Sequence, residues 1–201
     1  MIPAVILAGG RASRMGGGDK GLVPFGRGCL LDAVIARLAP QAAPLALNAL
    51  GEPVRFARFG LPVLDDPRAG QPGPLAGILA AMEWATTLGA AQVLTVPTDA
   101  PFLPPDLVVR LQRREDARPD TSGFAPPAIA ATLGGDVHPV VGLWPAALAP
   151  MVRAALDRDM RRVRDFARTA GAVIVTFPAG PPDPFLNVNT PDDVRAAEAW
   201  L

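Results

Sequence analysis

Only one cysteine and one histidine occur among the 201 residues, which excludes an internal disulfide and a zinc framework built from those side chains. The single thiol, Cys29, fits a reducing compartment. An excess of charge is missing too: 19 basic side chains face 19 acidic ones, so no net field would draw the chain to nucleic acid or to anionic lipid. No apolar run reaches membrane-spanning length, and the opening Met1-Ile2-Pro3-Ala4 carries no basic leader. The expectation is a soluble, cytoplasmic protein with a small, discrete ligand.

What the chain has in quantity is punctuation. Its 24 prolines and 20 glycines approach the range where disorder becomes a concern, yet apolar residues recur at strand and helix spacings through most of the length. Residues 4–8 form a short apolar run that opens into Gly9-Gly10, as a strand buried on both faces would. Val23 to Gly28 reads as a small turn. Leu31, Val34, Ile35 and Leu38 predict an amphipathic helix over 30–39, stopped by Pro40. Strands follow at 45–48 and 61–64, then a helix from Pro74 with Gly89 just past its end, and a buried strand at 93–96. Pro105 is expected at the first position of a helix carrying Leu107, Val108 and Leu111.

This alternation predicts a single α/β domain, a Rossmann-like three-layer sandwich with a mostly parallel sheet whose ligands sit at the carboxyl ends of the strands. The second half, from about residue 111, is less regular. Runs at 129–133 and 140–144 around Gly134-Gly135-Asp136 suggest an antiparallel pair. Leu148, Met151, Val152 and Ala155 mark a helix, a second is expected around 160–170, and a strand at 172–177 follows. A final helix should start at Pro191, capped by Thr190 with Asp193 reaching back. Residues 1–110 are expected to bind a nucleotide and 111–201 its acceptor.

The chemistry concentrates between Leu7 and Lys20. A long glycine-rich connection inside a compact domain tends to be functional, and here its amides can approach phosphate oxygens while Arg11, Arg14 and Lys20 supply positive charge. A P-loop would need Ser or Thr after the lysine, where this chain has Gly21, and a dinucleotide fingerprint would open a helix directly. Asp99, in the turn Pro97-Thr98-Asp99-Ala100-Pro101 after a buried strand, suits hard Mg²⁺ together with substrate phosphates, with Asp66 as a second candidate. Asp99 could equally cap the next helix, and Asn48 and Asp66 taken alone read as turn residues.

The loop Leu-Ala-Gly-Gly-x-x-x-Arg-Met-Gly-Gly-x-Asp-Lys at residues 7–20 resembles the signature of the molybdenum cofactor guanylyltransferases. Gly73-Pro74-Leu75-Ala76-Gly77, the Asp99 turn through Pro104, and Asn187-Val188-Asn189-Thr190-Pro191 are similar to the same family in order and spacing, so the resemblance covers essentially the whole chain. The segment Pro67-Arg68-Ala69-Gly70 departs from it. The resemblance implies a Mg²⁺-dependent transfer of GMP from GTP to the phosphate of Mo-molybdopterin, with molybdoenzymes or their chaperones as downstream partners. It further implies that Leu7, Ala8, Gly9, Lys20, Asn48, Asp66 and Asp99 bind GTP. Arg14, Lys20 and Asp99 would act in catalysis, Asp99 as metal ligand, and Asn187 and Asn189 would face the acceptor.

Other side chains are read more plainly. His138 is expected to be structural or to contact the acceptor, since an ionised phosphate needs no general base to attack. Cys29, with no basic neighbour in sequence except Arg27, reads as a small buried hydrophobe. Trp84, Trp144 and Trp200 read as core or interface anchors rather than a base-stacking platform. The competing functions are a cytidylyltransferase acting on the same cofactor, a sugar-phosphate or isoprenoid-precursor nucleotidyltransferase, and a non-catalytic cofactor carrier.

Overall fold

The structure, a computed structural model, describes residues 1–9, 17–67, 73–113 and 125–201. Arg11 and Arg14 of the expected phosphate cradle, and Arg68 to Gly70, lie outside the described residues. In chain order the strands are β1 (Ala4–Leu7), β2 (Pro24–Phe25), β3 (Gly28–Cys29), β4 (Leu45–Asn48), β5 (Val63–Leu64), β6 (Gln92–Pro97), β7 (Ala128–Thr132), β8 (Val137–Pro145) and β9 (Val173–Phe177). The α-helices are α1 (Leu30–Leu38), α2 (Pro74–Thr87), α3 (Leu107–Arg113), α4 (Ala149–Asp157), α5 (Val163–Thr169) and α6 (Pro191–Glu198).

Seven strands form one sheet in the order β5-β4-β1-β6-β8-β7-β9, and only β8 runs against its neighbours. The expected mostly parallel α/β sandwich is therefore what the chain forms. Period-two alternation divides the strand side chains between two cores. Ala4, Ile6, Leu94 and Val96 face one layer with α1 and α3, while Val5 and Val93 face the other with α2, α4 and α5. A smaller cluster of Phe25, Leu30, Phe102, Val188 and Ala197 fastens α6 to the β2–β3 hairpin.

Several expectations shift. Helix α3 begins at Leu107 rather than Pro105, because the Leu107 amide first closes a turn onto the Pro104 carbonyl and the Arg110 amide donates to the Asp106 carbonyl. A 3-10 helix at Pro53–Phe59, which no 3.6-residue period announces, is ended by Gly60 at φ 63°. It folds back over the start of α1 and sets Arg58 Nη2 2.9 Å from Cys29 Sγ and 2.6 Å from Asp32 Oδ2, so Cys29 does have a second basic neighbour. The thiol is buried, and that burial, above all other influences, raises its pKa. Trp144 is fully buried and anchors the core, whereas Trp200 is 53% exposed.

Register fixes what the sheet offers its ligand. Leu7 lies opposite Asn48 of β4 on one side and Pro97 of β6 on the other, so three parallel strands end on one line. β1 connects outward to β4 in one direction while β6 lies in the other, and the crevice at such a reversal is where an open α/β sheet binds.

Candidate active site

At that line of strand ends the chain turns into the loops that carry Gly9, Leu50 and Asp99. Leu7, Gly9, Lys20, Asn48, Asp66 and Asp99 together line a cavity of about 300 Å³. Ala8 differs from its neighbours: it is buried, and its amide is already donated to the Asn48 carbonyl at 2.7 Å. Asn48, 5% exposed at the end of β4, turns its side-chain amide to the Leu64 carbonyl at 3.1 Å and to Asp66 Oδ1 at 2.9 Å. Burial pushes the Asp66 carboxyl above the usual range, Asn48 pulls it back, and the charge of Asp65 adds to the rise. Helix α2 enters closely here, for a Cβ on Gly77 would stand 2.3 Å from Asn48 Oδ1.

A second cavity of about 280 Å³ lies across Asp99, lined by Val137 to Val141 of β8 and by Phe185, Asn187 and Asn189. Its existence depends on a broken register. Between β7 and β8, Ile129 pairs with Gly142 but the next residue, Ala130, pairs with His138, so Pro139, Val140 and Val141 bulge from the ladder. Pro139 has no amide to contribute at that point. The Thr95 hydroxyl donates to the Val140 carbonyl at 2.8 Å and accepts from Trp144 Nε1 at 2.9 Å, which satisfies the bulge from the neighbouring strand. Gly142 leaves room for that relay, since a Cβ there would lie 2.9 Å from Trp144 Nε1.

Pro97, Asp99 and Val140 belong to both cavities and form the wall between them. Lys20 Nζ spans that wall, donating to Asp99 Oδ2 and to Asn189 Oδ1, each at 2.5 Å. The partner strand of backbone is held in place as well: the Val188 amide donates to the Asp99 carbonyl at 2.9 Å, and Val188 is buried while Asn187 and Asn189 are exposed. Thr190 and Asp193 form the expected capping box of α6, and Asp193 Oδ2 also accepts from the Asn189 amide at 2.8 Å. That amide, first among several groups, holds the Asp193 carboxyl below its ordinary pKa.

Asp99 Oδ1 is buried and has no hydrogen-bond partner. A carboxylate oxygen in that position is what a hard divalent cation takes. Among the described residues no group of three or more His, Cys, Asp or Glu side chains could hold a metal by itself, so such an ion would draw its remaining oxygens from substrate and water. One contributor had no signal in the sequence. Arg55, in the 3-10 helix, pairs with Asp19 at 2.6 Å and donates to the carbonyls of Leu50 and Glu52, fixing the residue before Lys20 and the rim of the first cavity together.

A mostly parallel sheet that ends in a glycine-bearing loop, a lysine, and a carboxylate dividing two cavities suits a nucleotidyltransferase. The profile of the MobA-like NTP transferase domain matches residues 4–173. A molybdenum cofactor guanylyltransferase from Rhodopseudomonas palustris (strain BisB5) is 52% identical over 98% of this chain and 92% of its own length. Molybdopterin-guanine dinucleotide biosynthesis protein A from Archaeoglobus fulgidus superimposes with a TM-score of 0.73 at 19% identity, covering 99% of this chain and 98% of the other. A manganese complex of Rv0371C from Mycobacterium tuberculosis H37Rv has a TM-score of 0.62 at 16% identity, covering 100% and 99% of the two chains. The chain belongs to the molybdenum cofactor guanylyltransferase family. No helix among the described residues is long and apolar enough to cross a membrane.

Proposed function

We propose that the protein transfers the GMP part of GTP to the phosphate of Mo-molybdopterin, forming molybdopterin guanine dinucleotide and pyrophosphate, in the cytoplasm. The observation that carries this reading is the pair of cavities meeting at Asp99, with Lys20 reaching Asn189 across the wall. GTP takes the cavity of Leu7, Gly9, Asn48 and Asp66, the Ala8 backbone supporting its floor, and the acceptor takes the cavity that Asn187 and Asn189 border. Within a single domain, residues 1–110 thus serve mainly the nucleotide and 111–201 mainly the acceptor. Molybdoenzymes or their chaperones receive the product.

Asp99 would hold Mg²⁺, which would supply neutralisation of charge on the nucleotide phosphates. The protein's own part is positioning and electrostatics. An acceptor phosphate oxygen attacks the α-phosphorus in line, the bond to the leaving pyrophosphate breaks, and no covalent enzyme intermediate forms. Lys20, Arg14 and the loop amides draw the leaving charge. At an effective dielectric of about 20, a cation about 4 Å from a phosphate charge gains about 4 kcal/mol before desolvation, so a few such groups weigh heavily.

Pyrophosphate release by purified protein with Mg²⁺ and Mo-molybdopterin, compared among GTP, CTP and ATP, tests the reading. Release with GTP alone is expected. Release with CTP would assign the chain to cytidylyl transfer, and no release with any nucleotide would leave a carrier.

A further inference from the structure

The lone histidine has no place in the transfer step just described, yet it is the most unusual polar group in the second cavity. His138 Nε2 is buried and has no hydrogen-bond partner, although its residue lines the cavity. The ring stacks at 34° on Phe185, with centroids 4.8 Å apart, and Phe185 meets Phe177 edge-on at 5.2 Å. The bulge at Pro139 holds it there, at a position where an uninterrupted ladder would have carried β8 past the cavity. A buried nitrogen left without a partner costs stability, and it persists where a ligand completes its hydrogen bonding.

We infer that His138 and Phe185 hold the heterocyclic ring of the acceptor, the imidazole turning to bring its buried Nε2 onto a polar atom of that ring, with the acceptor phosphate directed to the Lys20 and Asn189 end. The inference rests on the transferase reading for the identity of the acceptor, but its geometry is independent of turnover. Charge sets the orientation. The charged groups that act on His138 are the carboxylates of Asp183 and Asp136, which would repel a phosphate, whereas at the far end the Asp99 carboxylate is paired with the Lys20 ammonium, which also reaches Asn189. An uncharged ring with N–H donors suits the first environment and an anion the second. Burial, outweighing those two carboxylates, lowers the pKa of the imidazole, so at neutral pH it meets the ring uncharged, with one donor and one acceptor nitrogen.

Because His138 is the only histidine in the chain, the imidazole resonances of untagged protein report on this position alone. An oxidised pterin without a phosphate side chain is expected to shift them, and inorganic phosphate at equal concentration is not. The reverse pattern, or no response to either probe, overturns the inference. In steady-state assays His138→Leu should raise the acceptor KM about tenfold with the GTP KM unchanged, and His138→Gln, which keeps a neutral hydrogen-bonding group, should restore most of the loss. A GTP KM that rises in step with the acceptor KM would also overturn it. Pterin-induced shifts in a protein that releases no pyrophosphate would support the ring site and remove the transferase reading instead.

Discussion

The two cavities flanking Asp99 have nearly the same volume, about 300 and 280 Å³, but they are made in opposite ways. The first is formed by regularity: three parallel strands end in register, and the chain leaves each into a loop bearing a polar group. The second is formed by irregularity, a bulge in β8, the strand that runs against its neighbours in the large sheet, faced by an extended segment that is anchored through Val188. The linings differ accordingly. Asn48, Asp66 and Lys20 converge in the first, whereas His138 and Phe185 give the second an aromatic end. A site for a polyphosphate and a site for a ring on a phosphate tether require that division.

Substitutions can break the division or sharpen it. The largest effect is expected at the wall itself, where Lys20→Ala removes a donor shared by both sides and should lower kcat by roughly 10² to 10³ in a pyrophosphate-release assay. Turnover close to wild type would remove Lys20 from the mechanism. Next comes Gly77→Ala, whose new methyl group would meet Asn48 Oδ1 and displace the amide that holds Asp66. The GTP KM should rise about tenfold while the acceptor KM stays put, despite a gain of up to about 1 kcal/mol in helix propensity. Equal change in both constants would show that the cavities are not separable.

On the other side, Asp193→Ala removes the capping box of α6 and the carboxylate that fixes the Asn189 amide. Denaturant titration should register a loss of about 1 kcal/mol, and the acceptor KM should respond before the GTP KM. The smallest effect is the pH dependence of His138. Its folded pKa lies below the ordinary 6.5, so the unfolded chain binds the proton more tightly, and stability falls as pH drops from 6.5 through the folded value. Melting curves of wild-type protein should bend downward over that window, and those of His138→Leu should lack this component.

The same contrast explains what could be read in the amino-acid order. Buried parallel strands are continuous apolar runs, so β1, β4 and β6 and the Asp99 turn after β6 were visible directly, as was the capping box around Thr190. Asn48 and Asp66 were different: short polar residues after a strand look like turn formers, and only the family resemblance marked them. The bulge at Pro139 could not be seen, because alternation says nothing about which residue of a partner strand lies opposite. Arg55 was equally hidden, since a 3-10 helix has no hydrophobic period to reveal it, and its pairing with Asp19 spans segments far apart in the chain.

The hydrogen-bonded relay from Trp144 through Thr95 to the Val140 carbonyl gives the molecule an optical handle. Val140 borders both cavities, and the indole tied to it is fully enclosed, unlike the half-buried Trp84 or the exposed Trp200. An indole in so dry a setting emits at short wavelength and responds to any loosening of its single hydrogen bond. The partition between the substrates therefore carries its own fluorophore, and with the other two tryptophans replaced, the order in which ligands arrive could be followed by light emission alone.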